Sequence, residues 1–144
     1  MGKCLDAAEQ LIQLSRVVQD IHARTSHRHG LPPVQAKLLC VLASGPRGMA
    51  ELAQCFGVER AALTGLVDRA ERRGFVSRSP VAGDRRALRV TLTSSGRQAA
   101  AAFHADASAE LNRLLLPLAP DDREDFQIAL AKIIASGTQF PTRQ

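Results

Sequence analysis

The stretch Met49-Ala50-Glu51-Leu52-Ala53-Gln54-Cys55-Phe56-Gly57-Val58-Glu59-Arg60-Ala61-Ala62-Leu63-Thr64-Gly65-Leu66 decides how this chain folds. With Met49 as the first position of two helices joined by a tight turn, the small residue needed where the helices touch falls on Ala53. The turn residue that must adopt a positive φ falls on Gly57, where a missing Cβ removes the steric penalty. Leu52, Phe56, Val58, Leu63 and Leu66 then occupy the positions that bury the pair. The spacing reads as a helix-turn-helix, with a short helix over about Ala50 to Phe56 and a longer one over about Arg60 to Arg73. Gly74 stops the second in the usual glycine position past a helix end. Small helical domains without a nucleic-acid partner also carry Ala-xxx-Gly, so the flanking sequence has to arbitrate.

Immediately downstream the hydrophobic period changes. Phe75 to Val81 and Ala87 to Thr93 read as two strands joined by the turn Ala82-Gly83-Asp84. In the second strand Leu88, Val90 and Leu92 fall on one side, and Arg89, Thr91 and Thr93 on the other. The result is a two-stranded hairpin with arginine at its tip and on its exposed face. Between Arg60 and Arg89 stand eight arginines against three acids, while the rest of the chain balances eleven bases with eleven acids. One segment therefore carries the whole net charge of +5. A neutral body with one basic module suggests a polyanion partner. Arginine suits it, because a guanidinium grips phosphate bidentately and fits a narrow minor groove. The competing reading is a solvated arginine-rich face.

Upstream, Leu11, Leu14, Val18 and Ile21 mark one stripe of a long first helix, from Leu5 to about His27. Gly30-Leu31-Pro32-Pro33 breaks it, and the second proline opens a helix carrying Leu38, Leu39, Val41 and Leu42. Ser44-Gly45-Pro46-Arg47-Gly48 ends that helix. After the hairpin, Thr93-Ser94-Ser95 caps an alanine-rich helix from Gly96 to about Leu116, stopped by Pro117. Pro120 opens the last helix, which ends near Ser136-Gly137, with Asp121, Asp122 and Glu124 beside its positive start. Leu111, Leu114, Leu115 and Leu118, and then Phe126, Leu130, Ile133 and Ile134, repeat at helical spacing. A winged domain of ~60 residues could not cover such stripes together with that of the first helix. Either a two-fold partner covers them or the two C-terminal helices form a hairpin within the chain.

The expected class is mainly α (α+β): six helices and one β-hairpin in a single domain over residues 1–144. A chain of this length with 45% hydrophobic residues supports such a core. Polar residues begin at once after Met1 and no apolar run approaches bilayer length, so a cytoplasmic protein without a membrane partner is expected. Gly2 is not followed by Ser or Thr at position 6 but by Asp6, which excludes the acylation signal. Three unpatterned cysteines, Cys4, Cys40 and Cys55, argue against a disulfide framework and read as packing or bystander thiols. No histidine lies in a plausible triad, no glycine-rich phosphate loop occurs and the acids are dispersed, so an enzyme is not expected.

The run Leu63-Thr64-Gly65-Leu66-Val67-Asp68-Arg69-Ala70-Glu71-Arg72-Arg73-Gly74-Phe75-Val76, then Gly83-Asp84-Arg85-Arg86-Ala87 and Val90-Thr91-Leu92-Thr93-Ser94-Ser95-Gly96, resembles the multiple-antibiotic-resistance-regulator (MarR) family. The resemblance covers nearly the whole chain. Its most specific part is Asp-x-Arg followed by a strand ending in Leu-Thr-x-x-Gly. It implies a homodimeric winged helix-turn-helix regulator of a pseudo-palindromic operator on double-stranded DNA, a repressor released by a small ligand or by cysteine oxidation. Residues of about 33–93 would form the winged unit, and about 4–28 and 94–136 the dimerisation helices. Arg86 matches the wing arginine that enters the minor groove, Arg85 neighbours it, and Asp84 matches the acid that braces it. Thr64 matches the recognition-helix threonine, Arg60 and Ala61 fall where that helix meets base edges, and Arg69 and Arg73 would grip phosphates. Asp84 as a plain turn residue and Arg72 as a solvated helix charge are the bland alternatives. Gly65 departs from the family, whose members often carry a base there, and it weakens the helix by up to ~1 kcal/mol.

Control is less legible. The family's redox branch uses a cysteine early in the first helix beside tyrosines, whereas alignment on Ser15-Arg16 places Ala8 there and the chain has no tyrosine. His22, His27 and His29, with Cys4, fit no familiar zinc spacing, so no metal or cofactor is expected. The resemblance implies an organic, anionic effector between helices and DNA-binding lobes, for which Arg16 and His22 could supply polar groups; an exposed arginine and a solvated histidine are the alternatives. A winged-helix module that docks an acidic protein is the competing function.

Overall fold

The structure, a computed structural model, describes residues 4–137, with the side chains of Arg85 and Arg86 outside the described residues. Its elements run α1 (Ala7–Arg28), α2 (Pro33–Leu42), β1 (Arg47–Gly48), α3 (Met49–Phe56), α4 (Arg60–Arg72), β2 (Val76–Val81), β3 (Asp84–Leu92), α5 (Ser94–Arg113) and α6 (Pro120–Gly137). The expected mainly α winged fold is therefore present. Internal contacts divide the chain into two compact units, one up to Ser108 and one from Ala109, with α5 crossing the boundary.

Local chemistry sets the element ends. Asp6 opens α1 with a capping box: its carboxylate accepts the Glu9 N–H at 2.8 Å and the Glu9 carboxylate accepts the Asp6 N–H at 3.2 Å. Pro33 starts α2, where a missing N–H costs nothing. Gly57 (φ 61°) turns α3 into α4, and Gly74 (φ 79°) ends α4. The Thr93 hydroxyl accepts the Gly96 N–H at 3.0 Å in the first turn of α5.

In the first unit a core of Leu38, Leu39, Leu52, Leu63, Val67 and Val90, all essentially sealed from solvent, joins α2, α3, α4 and β3. Burial of each such side chain is worth about 1.5–3 kcal/mol. Phe103 and Ala107 of α5 extend this core. The sheet has the order β1-β3-β2, antiparallel throughout, with Arg78 opposite Val90 and Ser79 opposite Arg89. β1 is a third strand that the sequence reading took only as a helix stop. Two residues have no period of their own, and Arg47 and Gly48 become a strand through pairing with Val90 and Arg89.

Other expectations need correction. Val58 is exposed rather than buried, because the turn carries it past the core. Leu88 is 41% exposed although its alternation points inward, since the hairpin outruns the helices that would cover it. Cys40 lies on the open side of α2 rather than in the core, and Cys4 and Cys55 are exposed too. α5 ends at Arg113, before Leu116, because carbonyls of Leu111, Asn112 and Arg113 accept three-residue turns from Leu114, Leu115 and Leu116.

In the second unit α6 has no buried side chain among its described residues. Ile128, Ile133 and Ile134 are half or more exposed. The Arg123 guanidinium donates to the carbonyls of Leu115 (3.3 Å) and Leu118 (3.4 Å), closing the turn before α6.

Candidate nucleic-acid interface

α4 is amphipathic by spacing: Leu63, Leu66, Val67 and Ala70 are buried, whereas Arg60 and Thr64, one turn apart, lie on the open side. Beside it an open cleft of about 670 Å³ is bounded by the start of α3, by Arg60, Thr64 and Asp68 of α4, and by Ala87 and Leu88 of β3. The two elements expected to grip a polyanion thus stand on either side of one trough. Arg60 and Ala61 are exposed in the first turn of α4. The Thr64 side chain is exposed, and its hydroxyl donates to the Arg60 carbonyl at 2.8 Å, which leaves the oxygen's acceptor capacity to spare. Arg69 is exposed and folds over Gly65, where an added Cβ would lie 3.6 Å from its Nη1.

Not all the arginines face that trough. Arg73 donates to the buried Gln35 Oε1 at 3.1 Å and lies 4.9 Å over the Phe75 ring, so its guanidinium already ties α4 to α2. Arg78, which the sequence reading counted only as one charge of the basic segment, does line the trough, but its guanidinium turns toward α4. It donates to the Asp68 Oδ1 at 2.6 Å and the Thr64 carbonyl at 3.4 Å, and it pairs with the Glu71 Oε2 at 3.4 Å. The signal was present in the pattern: Val76 and Arg78 share the inward side of β2, so an arginine stands at a core-facing strand position and must be paired. Asp84 is exposed at the start of β3, and the Arg85 and Arg86 side chains lie outside the described residues.

The structure does not bring Arg16 and His22 together. Six positions on an α-helix separate them by roughly a third of its circumference. Arg16 lines a shallow groove on α1 with Leu11, Ile12, Ser15 and Gln19. His22 instead packs against Phe103, ring centroids 5.8 Å apart. His29 flanks the same ring and meets the Asp106 Oδ2 at 3.0 Å, while Arg28 holds the Oδ1 at 3.2 Å. Among the described residues no group of three His, Cys, Asp or Glu side chains is placed to hold a metal ion. Desolvation raises the Cys40 thiol pKa above its ordinary value. No helix among the described residues is long and apolar enough to cross a membrane.

An exposed second helix beside a β-hairpin, both seated on one core, defines a winged helix-turn-helix protein. Residues 29–87 match the MarR family model, so this part of the chain is similar to that family. The HTH-type transcriptional repressor NicR of Pseudomonas putida is 35% identical over 96 residues, covering 63% of this chain. The chain spans about three fifths of the length of that curated relative, 61%. Wild-type MarR of E. coli in its apo form superposes with a TM-score of 0.80 at 22% identity, covering 92% of this chain and 98% of that one. NadR, solved with 4-hydroxyphenylacetate, superposes with a TM-score of 0.71 at 20% identity, over 92% and 95%.

Proposed function

We propose that this chain is a transcriptional regulator, a repressor, that binds a pseudo-palindromic double-stranded DNA site as a homodimer. The observation that carries the reading is the trough itself: Arg60 and Thr64 on an open helix face a hairpin across one cleft, in the most basic segment of the chain. In this reading α4 enters the major groove, with Arg60, Ala61 and Thr64 at base edges and Arg69 on phosphate. Asp84, Arg85 and Arg86 serve the adjacent minor groove. Arg73 grips phosphate only by sharing a guanidinium already bonded to Gln35. The uncovered side chains Leu116, Ile128, Ile133 and Ile134 support a two-fold partner. NadR's ligand supports a small anionic effector that releases the DNA, with Arg16 and His22 as separate rather than joint contacts.

The test is retention of DNA from upstream of the protein's own gene, against random duplex, across a salt series. Six to ten phosphate contacts per dimer should lower affinity by about 10³ to 10⁵ between 50 and 200 mM salt. A flat salt response, or equally poor retention of both DNAs at low salt, refutes the reading and favours an acidic protein partner.

A further inference from the structure

We propose that Arg78 is a positioning residue that sets the angle of the wing on the recognition helix, and that it does not contact DNA. The inference rests on the DNA-binding reading above. Arg78 sits mid-strand in β2, on the same side as the buried Val76, while Ser77 and Ser79 point outward. Its side chain is 19% exposed, far less than expected of a phosphate-gripping arginine. From that position it reaches α4 at three points over two turns: the Thr64 carbonyl, Asp68 and Glu71. Donation to the Asp68 carboxylate and the Thr64 carbonyl from one side of a planar guanidinium, with Glu71 ion-paired on the other, fixes orientation as well as distance, which a single point charge on lysine cannot do.

The placement has a second effect. Asp68 lines the trough over which a phosphate strand would pass if α4 and the wing occupied neighbouring grooves. The Asp68 carboxylate there would repel the DNA, and Arg78, which lines the same trough, neutralises it while also pairing with Glu71 behind it. The segment's eight arginines are therefore not eight phosphate contacts, because one is consumed in holding the frame.

The experiment compares wild type, Arg78→Met, Arg78→Lys and the double variant Asp68→Asn/Glu71→Gln on one operator. Minor-groove footprinting under the wing and major-groove protection under α4 are followed with the salt slope. Arg78→Met should lose at least about tenfold in affinity. It should lose the minor-groove footprint while keeping the major-groove one, and Arg78→Lys should fall between. The double variant discriminates by sign. Removing two negative charges favours DNA on charge counting, yet it frees Arg78, so the wing footprint should disappear and affinity should drop. Tighter binding by the double variant with an intact footprint overturns the proposal. So does an Arg78→Met that keeps the wing footprint and lowers the salt slope by about 0.9, the loss of one phosphate contact. Should Arg78→Met fail to fold, the double variant still decides. If wild type gives no footprint on any DNA, the regulator reading fails instead, which separates the two.

Discussion

Alanine at Gly96 should destabilise this protein although glycine is a poor helix former. Gly96 lies in the first turn of α5, where the helix crosses the chain leaving α4. A Cβ built there would stand 2.9 Å from the Phe75 carbonyl carbon, closer still to its oxygen, and 3.2 Å from the Leu92 Cδ2. The obstacle is backbone, so no rotamer change relieves it. The Phe75 carbonyl also accepts the Thr93 N–H at 3.0 Å, and the Phe75 N–H closes α4 on the Ala70 carbonyl at 3.0 Å, so displacement disturbs two helix ends together. Overpacking costs about 1–3 kcal/mol. The strained Thr93 bond adds about 1 kcal/mol, and alanine's better helix propensity returns up to about 1 kcal/mol. The net loss is about 2–3 kcal/mol, because rigid neighbours place the packing cost in the upper part of its range. That corresponds to a Tm lower by roughly 4–12 °C. Denaturant and thermal unfolding at a fixed protomer concentration measure it, with Gly65→Ala as control. At Gly65 the nearest atom is the flexible end of Arg69, so alanine there should stabilise by up to about 1 kcal/mol. A Gly96→Ala protein as stable as wild type would refute the close-approach argument.

Arg86→Ala should weaken operator binding by about 1–3 kcal/mol, most at an A·T-rich flank, as read by gel shift against flanks of differing composition. Ile134→Asp should shift the protein toward monomer in sedimentation and weaken operator binding with it, since this open residue of α6 is assigned to the two-fold contact; an unchanged mass would remove it from that contact. The raised thiol pKa of Cys40 keeps it protonated over more of the pH range than an ordinary thiol. Its alkylation at pH 8, followed by mass spectrometry, should therefore be slower than that of a free cysteine and rise with pH.

Legibility in the sequence followed the range of the forces involved. Gly57 and Gly74 were readable because a positive φ is a local demand, and their conformations are as expected. Leu52, Leu63 and Leu66 were readable because helical spacing places them on one face, and all three are buried. The misreadings depend on distant chain. Leu88 alternates correctly but has nothing above it, β1 is a strand only through β3, and Cys40 lies on a helix whose apolar count hid an open side. At the candidate site, counting arginines located the segment but not their directions. Arg78 is spent on Asp68 and Glu71, and Arg73 shares its guanidinium with Gln35, 38 positions away.

The short pairing of Arg47 and Gly48 with β3 makes the hairpin a cantilever. At Arg89 and Val90 the strand is clamped on both edges, whereas toward Asp84 it is held on one edge only. Bending should therefore concentrate at the free end while the anchored root keeps its bearing.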